Sequence, residues 1–488
     1  MRSTICRTVF VLFLLPCIVR AGGAGFNLHD STITVSGSVQ MGMGEVMKGM
    51  YRAMRSGQGE QSLSWPVTVN HIWFGEPEAT INLGFRPGER MKVLIGFEGN
   101  VFVNTFPSNL KSGLSSNGGA GVLPQYMAWR LHQAQGIISL LENGQMSLDL
   151  SLGVMPYKYN SDVRNLGEFL FRSGTYPFFL INDFNFPLAR LSGARLNCKY
   201  GNDQVKVTFD QFILSERTMP PFYDISLVSI VGVNWRNIID AGAGVDFDRI
   251  ISVNGTLTTP EDAKYAISPG DTGHYTFKGT KLMARATIDP LGMVREDKGS
   301  ILNEFAGKNG GKIYGEIAII GLKNYPASFE RPSTDPRDAQ NQWGYTKISE
   351  RMPWVVGFNI PMWKILDVCA FELEKYPAPY PNDYYQVFIG SGLPIPTWFH
   401  KHRQDSVDLG SGKIPYDRPY DSAVYNKRWY WSLYMKKQIV EHFSLIGQIS
   451  KDHARWDVNL GNKLNYDTEE ITVKPGEWAW RFGMLFEF

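Results

Sequence analysis

The side chains with the most chemical capacity in this chain are charges that recur at every second position. Arg195 and Lys199 flank Asn197, and Lys206 and Asp210 flank Thr208. Asp246 and Asp248 are separated by a single phenylalanine, and Glu316, Glu372, Glu374 and Arg481 sit in similar alternating stretches. A two-residue spacing places such groups on one face of a β-strand. Basic residues collect early in the chain and acids later. On opposite walls of a water-filled space they would set a transverse field that orients and selects polar solutes. Asp246 and Asp248 also offer paired carboxylates for a cation or for acid/base chemistry, but a wetted polar wall requires the same pattern. A further charged group lies in 156–188: Asp162, Arg164, Glu168, Arg172 and Asp183. Catalysis has less support. His132, His274, His442 and His453 are scattered without a nucleophile context, and no catalytic residue is assigned. The sequence has no CxxC, Cys/His cluster or HExxH, so no metal or cofactor is expected.

The elements that must position these charges read as strands. In Thr32–Met43, Ile33, Val35, Val39, Met41 and Met43 share one face, while Thr32, Thr34, Ser36, Ser38 and Gln40 share the other. Such alternation over a spanning length, with a polar second face, suits a strand between lipid and a water-filled lumen. Short turns rich in Gly, Asn and Pro join pairs of strands: Pro87-Gly88, Asn143-Gly144 and Gly201-Asn202-Asp203. Long connections lie between the pairs: 104–125, 156–188, 215–224 and 252–273. Continued along the chain, the rhythm predicts sixteen strands, within a range of 14 to 18. One uncertainty in that count is 65–75, which is either loop, an extension of the second strand or a strand of its own. The 289–311 connection is long for a tight turn.

Two helices are expected. In Glu45–Arg55, Val46, Met47, Met50, Tyr51 and Met54 recur at helical spacing. Asn160-Ser161 is placed to cap Asp162–Arg172, with Gly174 ending it. The sequence then runs Thr175-Tyr-Pro-Phe-Phe-Leu-Ile, far too apolar for a free surface loop, so 156–188 is expected to fold into the barrel interior. There Asp162, Glu168 and Asp183 are expected to face Arg195 or Lys199. The long segment 377–427 is rich in Tyr, Pro, His and Trp and reads as an external cap or a carbohydrate contact.

The two ends say where such a barrel would sit. Arg2 and Arg7 precede the short apolar run Val9–Val19, and small residues follow at 21–24, so 1–21 reads as a secretory signal peptide with its cut between 21 and 24. Of the 49 basic residues, Arg2, Arg7 and Arg20 leave with it, so 46 remain against 47 acids. That balance gives no argument for nucleic acid. The final segment places Trp478, Trp480, Phe482, Met484, Phe486 and Phe488 in one register. This terminal aromatic strand resembles the C-terminal assembly signal of Gram-negative outer-membrane β-barrels, carried by Trp480, Phe482, Met484, Phe486 and Phe488. The loop order, with an acidic third external loop able to fold inward, resembles the sixteen-stranded porins, although the Pro-Glu-Phe-Gly-Gly type signature of that loop is absent.

The resemblance implies one transmembrane antiparallel β-barrel over 22–488, all-β, with short periplasmic turns and long extracellular loops. It further implies a multi-pass protein of the cell outer membrane that lets small hydrophilic solutes diffuse through, with loop 156–188 as constriction. The implied partners are outer-membrane lipids, lipopolysaccharide, the barrel-assembly machinery at the C-terminal strand and further copies of the chain in a trimer. The alternative is a structural or adhesive barrel whose loops bind a partner or carbohydrate.

Overall fold

Antiparallel pairing runs from strand to neighbouring strand along the chain until the last strand meets the first, in a computed structural model of the protein. The structure describes residues 26–28, 31–55, 63–75, 77–104, 126–171, 189–215 apart from 203, 225–251, 279–292, 310–322 apart from 321, 348–375 apart from 364, 406–408, 413–415, 429–455 apart from 452, 470–473 and 478–488. The signal-peptide segment, Arg172, Asp183 and most of 377–427 lie outside the described residues.

Sixteen strands form the ring. They are β1 (Ser31–Arg55), β2 (Glu78–Gly88), β3 (Met91–Asn104), β4 (Tyr126–Glu142), β5 (Met146–Tyr157), β6 (Ala189–Gly201), β7 (Val205–Leu214) and β8 (Ile225–Trp235). Then come β9 (Ile239–Ile251), β10 (Gly279–Ile288), β11 (Ile313–Ile319), β12 (Trp354–Asn359), β13 (Val368–Lys375), β14 (Trp429–Val440), β15 (Phe443–Lys451) and β16 (Ala479–Glu487). Each pairs with the next, and β16 pairs with both β15 and β1. Closure removes the sheet edges and supplies a backbone partner on both sides of every strand. At the seam, the Phe488 amide donates to the Gly37 carbonyl and the Gly37 amide to the Phe488 carbonyl, each at 2.9 Å.

Side-chain alternation gives the ring two surfaces. Phe85, Ile95, Phe97, Phe209, Val231, Val233, Phe247, Ile317, Phe371, Phe482 and Met484 are exposed on the outside. The other register carries Ser38, Thr80, Gln135, Arg195, Asp210, Arg285, Gln448 and Arg481, among others. An apolar exterior around a polar interior is the pattern of a transmembrane barrel.

The short turns are built by local side chains. Asn143 Oδ1 accepts the amides of Gln145 and Met146, at 3.0 and 2.8 Å. Asn202 Oδ1 does the same for Gln204 and Val205, both at 2.9 Å. Between β8 and β9, Arg236 and Asn237 have φ of 50° and 56°, and the Ile238 amide bonds the Trp235 carbonyl at 2.9 Å. Two central residues at positive φ make a type I′ turn, whose twist matches that of the strands it joins.

The helix expected over Glu45–Arg55 is instead a continuation of β1. Its partner is Leu63–Gly75, running from Met43↔Gly75 to Arg55↔Leu63. That segment lies in line with β2 against the same strand, so 63–75 extends the second strand past its break at 76–77. A sheet edge already extended through Val39 and Gly44 offers the next residues a ready ladder, and pairing overrides the helical spacing of their side chains.

Gly37 sits on the outer face beneath the ring of Phe488. A Cβ there would meet the Thr80 carbonyl oxygen and lie 2.7 Å from the Phe488 ring. Gly37→Val is therefore expected to weaken the seam. Unheated gel electrophoresis, in which folded barrels migrate differently from heated ones, should show less folded protein than wild type under matched refolding. An unchanged folded fraction would contradict this role for Gly37.

Candidate functional site

Charged groups of the inner wall converge on the segment that follows β5. Residues 158–171 lie against the inward faces of β7 to β13 and carry much of the molecule's buried apolar cluster. Val163, Leu166, Phe169 and Leu170 are wholly buried, and Phe171 nearly so. They pack with Tyr157, Phe212, Leu214, Val228, Ile230, Met283 and Val355 from the strands. Phe171 meets Tyr157 edge to face at 5.8 Å. Burial of a large apolar side chain contributes about 1.5–3 kcal/mol, so these residues form a firm attachment. Gly244 on β9 makes room, because a Cβ there would lie 3.2 Å from Leu170.

The backbone of the segment poses a harder problem. Buried amides must find acceptors, and a helix would supply them from within. Here the barrel wall supplies them. Glu372 of β13 accepts the amides of Arg164, Asn165 and Leu166, the last two at 2.9 Å. Glu374 takes Gly167 at 3.0 Å. Glu316 of β11 takes Glu168 at 3.0 Å and Phe169 at 2.8 Å. Six consecutive amides thus go to three carboxylates, and the helix expected over Asp162–Arg172 does not form in its described part. Gly167 and Glu168 have φ of 88° and 57°, outside the helical range. The wall carboxylates outcompete the intrahelical carbonyls, since hydrogen bonds to charged acceptors are roughly twice as strong as neutral ones.

Further bonds complete the attachment. Tyr159 donates its hydroxyl proton to Glu316, and the Tyr159 hydroxyl oxygen accepts the Leu170 amide at 2.9 Å. The Asn160 amide donates to Glu168 Oε1 at 2.7 Å. Asp162 accepts from Lys312 at 3.1 Å and from Thr287 at 2.8 Å. Lys158 reaches the Val163 carbonyl at 2.6 Å, and Lys281 the Leu170 carbonyl at 3.2 Å. Burial, and secondarily the Glu316 charge, holds the Glu168 carboxyl well above the usual carboxylate range. Burial lowers the Lys158 ammonium to about 8 against the pull of Glu168.

The expected facing of Asp162 and Glu168 toward Arg195 or Lys199 does not occur. Asp162 turns to Lys312 and Thr287, and Glu168 lies against Glu316. Arg195 pairs instead with Asp210 at 2.7 Å, with its guanidinium carbon 4.9 Å from the centre of the Tyr157 ring. Asp210 also accepts from Asn197 at 2.6 Å and from Tyr157 at 2.8 Å. The wall pairs with itself because strand register brings Asn197 opposite Asp210. Asp246 is fully buried opposite Lys281. Asp248 lies two residues on along β9, with its side chain outside the described residues. Lys199 and Lys206 are exposed at the short-turn end. Asp162, Glu168, Asp246 and Glu316 are buried and present no surface to an open passage.

Sequence reasoning placed Glu372 and Glu374 on a polar wall but missed their task, and it missed Tyr159, Tyr314 and Lys312 altogether. One signal was available. In β8, Ile225–Trp235, apolar residues occupy both registers, and the inward Val228 and Ile230 are buried. A barrel strand that is apolar on both faces has its inner face covered.

Closed ring, apolar exterior, polar lumen and an internally docked third loop together define the class: a sixteen-stranded transmembrane β-barrel. Solved structures with a similar outline include engineered variants of the Rh. blastica porin. One double mutant is 9% identical, with a TM-score of 0.37 over 93% of this chain and 100% of that one. A triple mutant is 9% identical, with a TM-score of 0.38 over the same shares. At those scores the likeness carries no argument about activity. No protein-family model and no curated protein matches the sequence.

Two outcomes are expected for the docked segment. Glu372→Ala takes the acceptor from the half-buried amides of Arg164 and Asn165 and the buried amide of Leu166, the last at about 1–3 kcal/mol, so protease cutting within 158–171 should rise while the barrel stays folded. Glu168 acts in the opposite sense. Its folded value is raised, so the folded state holds more protons than the unfolded one. Docking is therefore strongest below the ordinary carboxylate range and weakens as pH rises through the raised value. Glu168→Gln should make loop protection at neutral pH at least as strong as in wild type and remove that part of its pH dependence. Weaker protection in Glu168→Gln would count against this account.

Proposed function

We propose that this protein is a porin-like channel of the outer membrane, passing small hydrophilic solutes by diffusion, with 156–188 as its constriction. The observation that carries the reading is the one-sidedness of the docked segment. It covers the inner faces of β7 to β13, while Gln40, Gln135, Gln448 and Arg481, facing inward from β1, β4, β15 and β16, keep solvent access. A segment that fills one side of a lumen narrows it, and a polar remainder favours water and polar solutes. The wall carboxylates hold the loop, which leaves them engaged in structure and supports transport over catalysis. The apolar belt suits a lipid surround, and the terminal strand suits recognition by barrel-assembly machinery. No observation favours the adhesive reading, since the external segment on which it rests lies mostly outside the described residues.

The purified full chain, added to planar lipid bilayers in potassium chloride, is expected to give stepwise conductance increments. Membranes that stay at leak level with folded protein inserted would overturn the channel reading.

A further inference from the structure

The outer face of the ring is apolar, yet two lysines stand on it at the long-loop end. Lys375 ends β13 in the outward register of Phe371 and Leu373, and Lys451 ends β15 in that of Leu445 and Ile449. Lys375 Nζ lies over the Trp429 ring, 5.6 Å from its centre. Among the described residues neither lysine meets a carboxylate. At the short-turn end, by contrast, the outward Lys437 of β14 reaches Asp367 at 3.7 Å. Glu45, an outward acid two strands from β15, takes the Trp480 indole N–H. A charge on a lipid-facing wall is costly unless its long stem carries it to a partner at the interface.

Register sets the two lysines at one level. Rungs of paired residues climb toward the long-loop end as strand number rises. The rung that leaves Phe358, beside the short turn after β12, passes Phe371, Leu433 and Ile449 and arrives at Trp480, near the far end of β16. Lys375 shares a rung with Trp429, and Lys451 with Trp431, two residues nearer the short turns. At a strand spacing of about 4.8 Å and a tilt of about 40°, crossing two strands climbs ~6 Å and stepping back two residues descends ~5 Å. The two Cα atoms therefore stand at nearly equal height, ~12 Å apart. Indoles fill the same belt, with Trp429 and Trp431 on the strand between the lysines and Trp354 and Trp480 to either side. Trp354 and Trp429 meet edge to face at 5.3 Å across β13. Such a belt marks the level of the lipid headgroups.

Resting on the outer-membrane placement in the reading above, we propose that this patch on β12 to β16 binds the phosphorylated headgroup of an outer-leaflet glycolipid. Lys375 and Lys451 each take a phosphate, and the indoles between them lie against the sugar. Phosphate oxygens supply the acceptors that the protein does not, and a lysine ammonium binds phosphate as a point charge. Two cations at one height, spaced on the scale of a disaccharide, favour a sugar headgroup phosphorylated at both ends over the single phosphate of a phospholipid. Indole faces suit sugar rings, with their apolar body turned to the lipid and their N–H to water.

The test uses the full chain folded in dodecyl maltoside and titrated with bisphosphoryl lipid A, the bound lipid being counted by native mass spectrometry. One tightly held lipid per barrel is expected. At about fivefold per lysine, Lys375→Gln with Lys451→Gln should weaken binding on the order of 25-fold. Lys437→Gln, at the opposite end of β14, should leave it unchanged. Dephosphorylated lipid A and phosphatidylglycerol should each bind more weakly than the bisphosphoryl form. Equal binding by the folded double variant, or by either of those two lipids, overturns the proposal. Insertion into neutral phosphatidylcholine vesicles is measured on the same protein. A chain that fails to insert overturns the membrane reading and this proposal with it. One that inserts but holds no lipid A overturns this proposal alone.

Discussion

A backbone amide held away from water must find an acceptor, and this molecule meets that requirement in two ways. The strands meet it by closing into a ring, so that β1 and β16 supply each other what an open edge would lack. The segment after β5 has no such partner strand. It meets the requirement with the side chains of Glu316, Glu372 and Glu374, which take six consecutive amides from 164 to 169. An unmet amide of this kind costs about 1–3 kcal/mol, so the position of the loop follows from the position of three carboxylates. Those carboxylates are placed in turn by the register of β11 and β13.

This arrangement explains why charge and greasiness occur together on one wall. The acids alone would leave a costly negative cluster in a confined space. Lys312 and Lys281 offset part of it, and the amides solvate the rest much as water would. Between these polar contacts, Leu166, Phe169 and Leu170 fill the space against Ile230 and Met283, which excludes water and strengthens the remaining hydrogen bonds. Tyr159 and Tyr314 belong to both systems, with rings in the apolar cluster and hydroxyls on Glu316 and Glu372.

The strands were legible in the sequence because alternation is a local property. Residues such as Ile33, Val35 and Met41 announce a face whatever they pair with, and Asn143 and Asn202 announce turns that they build with their own side chains. The two expected helices failed because their competitors are distant in sequence. Glu45–Arg55 has a helical spacing, but its strand partner begins at Leu63. Asp162–Arg172 has a cap and an apolar face, but its amides meet Glu372 and Glu374 about two hundred residues away. For the same reason the charges of the candidate site were seen but mispaired. Asp162 was expected to reach Arg195 or Lys199 on the next strand in sequence, and it meets Lys312, the residue before β11, instead. The double-faced apolar run of β8 was the local trace of that long-range arrangement.

The pairing of β1 with 63–75 makes the rim uneven. The outward apolar run of β1, through Val39, Met41 and Met43, ends at Glu45, whose carboxylate takes the indole N–H of Trp480 at 3.2 Å. Tryptophan in such a place marks the edge of the hydrocarbon layer. The ten residues beyond Glu45 rise ~33 Å along the strand at about 3.3 Å each, or roughly 25 Å of height at a tilt of about 40°. On that side the sheet stands up like a parapet beyond the outward apolar belt. On the channel reading, a solute approaching from that side meets a wall of protein first and must come over it or around it.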